Sequence, residues 1–316
     1  MRMSASALHL LCLLSGCLMA CGSTVGRVPA GSQIKGLGAD SGVEGPAGQR
    51  LTPDEILKAF GEGDIFVVGE RHADPVSVAS HLHVLGLVQA SGRSMTIGVE
   101  WLPESAAPAI AEYLECKISE SEFLETSGWN TVWGFPFSVY APIFHWAREH
   151  QVIIRGLNAP PGLARRLGRE GLDGISEDDR ASLTSLDSAD AGHKAYFARR
   201  MAEVAAAHGG GGHGGHHGGS GAWEVGSPLL ERYYLAQLLR DEHMARSAAG
   251  LWTAGEVVVV LAGLGHVEYG LGIPMRLQDL GARILVVEPL QGGGPHCGGP
   301  ADYPVRRCDL RVGRPQ

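Results

Sequence analysis

The chain has no surplus of positive charge. Lysine and arginine number 26 against 34 aspartates and glutamates, a formal charge of −8. That balance excludes the basic surface with which proteins grip the phosphates of nucleic acids. Long apolar runs are missing too. The N-terminal apolar stretch, residues 7–20, is interrupted by His9, Ser15 and Gly16 and falls short of the roughly 20 residues a membrane-spanning helix needs. Cysteine is sparse, six in 316 residues, and no spacing among the six suggests a zinc ribbon or a redox pair.

What is present begins at the N-terminus. Arg2 followed by the apolar residues 7–20 has the form of a signal peptide. The run ends Leu18-Met19-Ala20-Cys21, which resembles the bacterial lipobox and implies cleavage before Cys21 and diacylation of its thiol. Lipid chains contribute roughly 0.8 kcal/mol per buried methylene, so two or three hold a soluble domain firmly. Gly22 carries no negative charge, and by the bacterial sorting pattern the expected location is the outer membrane. Loss of residues 1–20 removes one base, Arg2, and leaves 25 basic against 34 acidic groups. Residues 21–50, rich in Gly, Ser, Pro and Ala, read as a flexible tether. One large domain is expected over residues 51–290, followed by a Gly/Pro/Cys tail at 291–316. Cys12 and Cys17 leave with the leader. Cys297 and Cys308 are candidates to close a loop in the tail, which leaves Cys116 free and buried; connectivity is not fixed by sequence.

Five short runs, Asp64–Val68, Met95–Val99, Val152–Leu157, Glu256–Leu261 and Arg283–Val287, are mostly apolar throughout rather than alternating. That is the pattern of strands covered on both faces. Helical patterns lie between them at Pro53–Phe60, Pro75–Ala90, Pro103–Cys116, Ser119–Thr126, Tyr140–His150 and Pro274–Leu280. The alternation predicts an α/β fold, a helix-flanked and mainly parallel sheet. Residues 161–251 contain no convincing strand and read as a smaller all-helical insertion, a lid over the sheet. Its helical patterns are Pro161–Glu170, Glu177–Leu186, Ala191–Ala207 and Leu229–Leu251, and its middle, residues 208–221, is a Gly/His tract.

Ligands of open parallel sheets bind beyond the carboxyl ends of the strands. The residues there are Glu70, Arg71 and His72 after the first strand, Glu100 after the second, Asn158 after the third, and Gly263-Leu264-Gly265-His266 after the fourth. Each has an ordinary reading: His72 and His266 as capping or core histidines, Glu100 as a helix cap, Asn158 as a turn residue, Arg71 as a solvated charge. Together they point to one site. In it His72, Glu100 and His266 hold a divalent metal or activate water, Glu70 is a candidate general base, and Asp241 is a further acid group.

The ordered set Gly69-x-x-His72, Glu100 and Gly263-x-x-His266 resembles the paired motifs of the Tiki/TraB/erythromycin-esterase superfamily. Val67–Pro75, Gly98–Trp101, Trp133-Gly134-Phe135, Tyr140–Ile143, Leu157–Pro160, Asp241–Ala245, Leu261–His266 and Gly272–Pro274 look more closely like the ChaN family of haem-binding lipoproteins linked to iron uptake. The resemblance spans about residues 51–289. It implies a large α/β domain with a smaller helical one, and haem bound through tyrosine at the interface of a homodimer. The candidate for that role is the helix at 191–207, where His193, Tyr196 and Arg200 share one face and Phe197, Met201 and Val204 form a stripe suited to core packing. Tyr233 and Tyr234 are rivals. His208, His213, His216 and His217 add clustered imidazoles that suit zinc, copper, nickel or haem iron. Two functions therefore compete: a lipid-anchored protein of haem uptake or storage, and a metal-dependent hydrolase.

Overall fold

A computed structural model describes residues 43–45, 49–181, 190–207, 220–253, 256–289 and 309–312. Strand β1 (Val43–Glu44) and helix α1 (Pro53–Glu62) lead into β2 (Ile65–Glu70), α2 (Pro75–Ala90) and β3 (Met95–Pro103). Helices α3 (Ala107–Leu114), α4 (Glu120–Thr126), α5 (Trp129–Val132) and α6 (Phe137–Glu149) follow, then β4 (Ile153–Asn158). The insertion supplies α7 (Leu163–Glu170), α8 (Glu177–Ala181), α9 (Ala191–Ala207) and α10 (Pro228–Leu251). The sheet resumes with β5 (Val257–Gly263), α11 (Ile273–Asp279), β6 (Ile284–Pro289) and β7 (Leu310–Val312).

The sheet has seven strands in the order β1-β7-β6-β2-β5-β3-β4. Every pairing is parallel except β1 with β7. All five strands expected from sequence are present, and all five run on by one to four residues at the carboxyl end, the edge on which the site residues lie. Two more come from unexpected places. Residues 43–44 of the expected tether pair with residues 311–312 of the expected tail, and β7 extends the sheet from β6. Such short strands leave no periodic trace in sequence.

Side chains alternate between the two faces of the sheet. Phe66, Val68, Ile97, Val99, Val259, Leu261 and Val287 meet the face covered by Ile56 and Phe60 of α1, Leu85 and Val88 of α2, and Tyr140, Ile143 and Phe144 of α6. Ile65, Val67, Val258, Val260 and Val286 meet Met244, Ala245 and Ala248 of α10 and Ile273 and Leu277 of α11. Each of these branched residues gives about 1.5–3 kcal/mol on burial, which is why the runs are apolar on every residue rather than every second one.

Helix α10 joins the insertion to the sheet. Ser227 caps it, its hydroxyl accepting from the Leu230 amide, and Pro228 opens it. Its first turns pack Leu230, Tyr234 and Leu238 against Phe197 and Ala198 of α9. Leu239 joins Leu163 and Leu167 of α7, and its last turns cover the sheet. The insertion is thus bolted to the main body through a shared 24-residue helix. Cys116 departs from expectation: it is exposed and disulfide-bonded. Every other cysteine lies outside the described residues, as does the tract 208–219 that holds His208, His213, His216 and His217.

Candidate functional site

Strands β2, β5, β3 and β4 are neighbours in the sheet, so their carboxyl ends form one rim. Glu70, Glu100, Asn158 and Gly263 stand on that rim within their strands. His72 and His266 follow on the next turns.

Two carboxylate–imidazole pairs occupy the rim. In the first, Glu70 is buried and its Oε1 lies 2.9 Å from Nδ1 of His72. The same oxygen accepts from the Trp101 indole at 3.3 Å and the Tyr140 hydroxyl at 3.1 Å. Tyr140 in turn accepts the Ala73 amide at 2.8 Å, which fixes the chain where Ala73 takes a left-handed φ of 56°. Burial, reinforced by Glu70, pushes the Tyr140 phenol up, so it stays a donor. His72 remains 35% exposed, with Trp133 edge-on at 4.7 Å and Phe135 at 5.5 Å.

The second pair is closed to solvent. His266 Nδ1 is bonded to Asp241 Oδ1, and its Nε2 lies 3.3 Å from Glu100 Oε1. Arg240 is bonded to that same Glu100 oxygen, while Glu100 Oε2 accepts the Gly263 amide at 2.6 Å. Burial acts to raise the Glu100 pKa, but the charges of His266 and Arg240 outweigh it and hold the carboxyl well below its usual range. For His266 burial acts downward, yet Glu100 and Asp241 lift it to about 9. Asn158 steadies the assembly: its amide donates to the Glu100 carbonyl at 2.9 Å, and its Oδ1 accepts from Arg240 at 3.4 Å.

Gly263 sits where the two pairs meet. A Cβ there would lie 2.3 Å from the His72 ring and 3.2 Å from Glu100 Oε2. His72, Glu100 and His266, separated by up to 194 residues of chain, are therefore brought together at one place, as the strand-end rule predicts. Glu70 and Asp241, expected as base and acid, are both buried, and each lies against one of the two histidines, Glu70 on His72 and Asp241 on His266. The expected metal triad is not arranged as one: among the described residues no group of three or more His, Cys, Asp or Glu is placed to hold an ion. The reason lies in the partners, since His266 has a carboxylate at each nitrogen and Glu100 is already held by a guanidinium and an amide. Arg71 is exposed at the edge of the rim.

Helix α9 departs from the sequence reading in part. Phe197 and Met201 pack against Leu230, Tyr234 and Leu238 as expected, but His193 and Tyr196 are buried as well and Val204 is 45% exposed. The polar side chains find buried partners. His193 Nδ1 meets the Tyr234 hydroxyl at 3.3 Å and its Nε2 stands 3.7 Å from Asp241; burial outweighs that carboxylate and lowers His193 to about 4. Tyr196 donates to Glu268 at 2.7 Å, and burial together with Glu268 pushes its phenol up. Arg200 is paired with Glu203 at 2.8 Å.

The apolar side of α9 also faces an open cleft. Phe197 and Met201 line it with Ala164 and Gly168 of α7 and Tyr233 and Ala236 of α10; Arg165, Arg169, Gln237 and Arg240 supply its polar lining. Its volume is about 410 Å³, within the span of small-molecule sites. Tyr233 is 39% exposed there, in contrast to the buried Tyr196 and Tyr234, and Trp223 packs edge-on to it at 5.4 Å. Gln237 and Arg240 reach both places: Gln237 donates to the Gly265 carbonyl at 3.0 Å and lies 2.9 Å from His266. Sequence reasoning missed Gln237 and Arg240, whose signal was their position one turn before and directly before Asp241 on the same helix.

Comparison with known proteins follows from this geometry. A family model described as haem-binding uptake, Tiki superfamily, ChaN, matches residues 56–277. A search of the curated proteins finds no match. Among solved structures, ChaN of Campylobacter jejuni, described with cofacial haem binding, is similar at 15% identity and a TM-score of 0.59, covering 86% of this chain and 95% of that one. The C-terminal region of Pasteurella multocida toxin aligns at 13% identity and a TM-score of 0.42, over 76% of this chain and 25% of that one. The type III effector HopBA1 aligns at 13% identity and 0.43, over 86% and 94%. The first of these similarities speaks to the fold alone, and the other two carry no argument. With the family model spanning most of the folded part, the chain belongs to the haem-binding uptake family ChaN of the Tiki superfamily.

Proposed function

We propose that this chain binds haem as a cargo for uptake or storage, in the cleft between α7, α9 and α10. The observation that carries the reading is the make-up of that cleft: an apolar wall of Phe197 and Met201, exposed arginines 165 and 169, and an approachable phenol on Tyr233. An apolar wall suits a porphyrin face, guanidiniums suit its carboxylates, and a tyrosinate is a haem iron ligand. Tyr233 takes the ligand role in preference to Tyr196, because Tyr196 is buried and already donates to Glu268. Trp223 stands edge-on to Tyr233, so haemin added to the protein lacking residues 1–20 quenches its fluorescence to a saturating endpoint. A Tyr233→Phe variant that binds haemin as tightly as the parent overturns this assignment.

The cleft is open on one side, and a second copy of the chain facing it would give the paired-haem arrangement described for the Campylobacter protein. Sedimentation with and without haemin tests that arrangement. We further propose attachment to the outer membrane through a lipid on Cys21, tested by incorporation of labelled fatty acid that Cys21→Ser abolishes. Among the described residues no helix is long and apolar enough to cross a membrane.

A second reading is a hydrolase acting at the rim. It is favoured by His72, whose Nδ1 is held by Glu70 and whose side chain is 35% exposed, with Trp133 and Phe135 against its ring. Such a histidine can take a proton from water. Ester hydrolysis lost in His72→Ala, with haemin binding intact, is the result that supports it.

A further inference from the structure

Arg240 belongs to two sites at once. Its guanidinium is bonded to Glu100 on the rim, and its side chain lines the cleft, where it is 27% exposed. The geometry points to Arg240 as the residue that selects the cargo by its carboxylates, exchanging Glu100 for a carboxylate of the bound ligand. This rests on the cleft being the haem site.

Two features make the exchange feasible. First, Glu100 keeps partners when Arg240 leaves. Its Oε2 still accepts the Gly263 amide at 2.6 Å, and His266 still lies 3.3 Å from Oε1. A buried carboxylate stripped of every donor would be costly, by several kcal/mol; one retaining an amide and an imidazolium is not stripped.

Second, the carboxylates beside Arg240 have other cations. Buried with Glu100 are Asp241 and Glu242 behind the rim, and Glu70 beside His72. The cations beside the first three are His266, held between Glu100 and Asp241, Arg276, 3.8 Å from Asp241 and 3.4 Å from Glu242, and Arg246, bonded to Glu242. Glu100, Asp241 and Glu242 thus each have a basic partner other than Arg240 within 4 Å, and Arg240 is a further one. It is also the one whose side chain opens onto the cleft, alongside the exposed Arg165 and Arg169. A ligand carboxylate entering there meets a guanidinium that must swing away from Glu100 and from the longer bond to Asn158, and the planar fork of arginine holds a carboxylate through paired donors.

The exchange makes Glu100 a competitor of the cargo, which gives an unusual sign to one mutation. Removing the Glu100 charge strengthens binding of a carboxylate ligand, although Glu100 lines no part of the cleft. A merely structural role predicts weaker binding of every ligand.

The experiment titrates haemin and haemin dimethyl ester, which lacks free carboxylates, into the parent protein, Arg240→Gln and Glu100→Gln, with folding checked by circular dichroism. The parent is expected to prefer haemin over the ester. Arg240→Gln loses about tenfold in haemin affinity, the worth of one charge-assisted hydrogen bond, and leaves the ester unchanged, so the preference collapses. Glu100→Gln gains several-fold for haemin and nothing for the ester. Preference retained in Arg240→Gln, or equal loss for both ligands, overturns the assignment. Should Glu100→Gln fail to fold, the preference ratio in Arg240→Gln decides alone. Ester binding that depends on Tyr233 while Arg240 is indifferent leaves the cleft as the cargo site and removes only the role of Arg240; binding of neither ligand to the parent removes both.

Discussion

The sheet rim and the insertion cleft draw on the same residue types and treat them differently. On the rim, Glu100 and Asp241 are fully buried, and each has a histidine and an arginine within 4 Å. In the cleft, Arg165 and Arg169 stand in solvent beside an exposed tyrosine. The rim is held together by its own charges; the cleft offers its charges to something else. The difference teaches where to look for a ligand: in this molecule the densest cluster of ionisable groups is largely self-satisfied, and the sparser one is receptive.

That contrast can be broken by mutation, and the largest effect is expected on the rim. Asp241→Ala takes from the buried His266 and Arg276 one of the two carboxylates each of them faces, and unfolding in urea should show a loss of about 3–5 kcal/mol. A loss no greater than that of a surface substitution would erase the distinction between the two regions.

The next effect is pH dependence. His266 binds its proton more tightly folded than unfolded, so its contribution is complete below about 6.5 and disappears as pH rises towards about 9. At 1.36 kcal/mol per pKa unit this is on the order of 3 kcal/mol. His193 has the opposite sign: its folded pKa is lowered to about 4, so stability holds above 6.5 and falls as pH drops towards 4. Urea midpoints measured across pH should peak near neutrality and decline on both sides; a flat alkaline limb would mean that His266 is not held charged.

Gly263→Ala is smaller and local. Its new methyl meets the His72 ring at 2.3 Å, and overpacking of this kind costs about 1–3 kcal/mol. The cost should come with a displaced His72 imidazole, visible as a shifted ring resonance. Smallest of all for stability are Arg165→Ala and Arg169→Ala, each within about 0.5 kcal/mol by thermal melting, yet each should weaken haemin binding severalfold. Equal haemin affinity in both variants would deny the cleft its receptive character.

Much of this architecture was legible in sequence. Runs such as Val257–Leu261 are apolar at every position, a pattern that covering on both faces explains, and parallel order then forces Glu70, Glu100, Asn158 and His266 to one edge. Other parts were not legible for physical reasons. Residues 43–44 and 310–312 form strands too short to show a period. Helix α9 misled because amphipathic reasoning assumes that polar residues face water; His193 and Tyr196 point inward since Asp241, Tyr234 and Glu268 await them from distant elements. The pairing of Arg240 with Glu100 joins residues 140 apart in sequence, and no local pattern encodes it.

On the proposed reading, cargo enters through the open cleft and not at the buried phenol of α9. Haemin titration of Tyr233→Phe and Tyr196→Phe side by side, followed by the tyrosinate-to-iron absorption band, tests it most directly. The band is expected to vanish in Tyr233→Phe and to persist in Tyr196→Phe. The reverse pattern would contradict it.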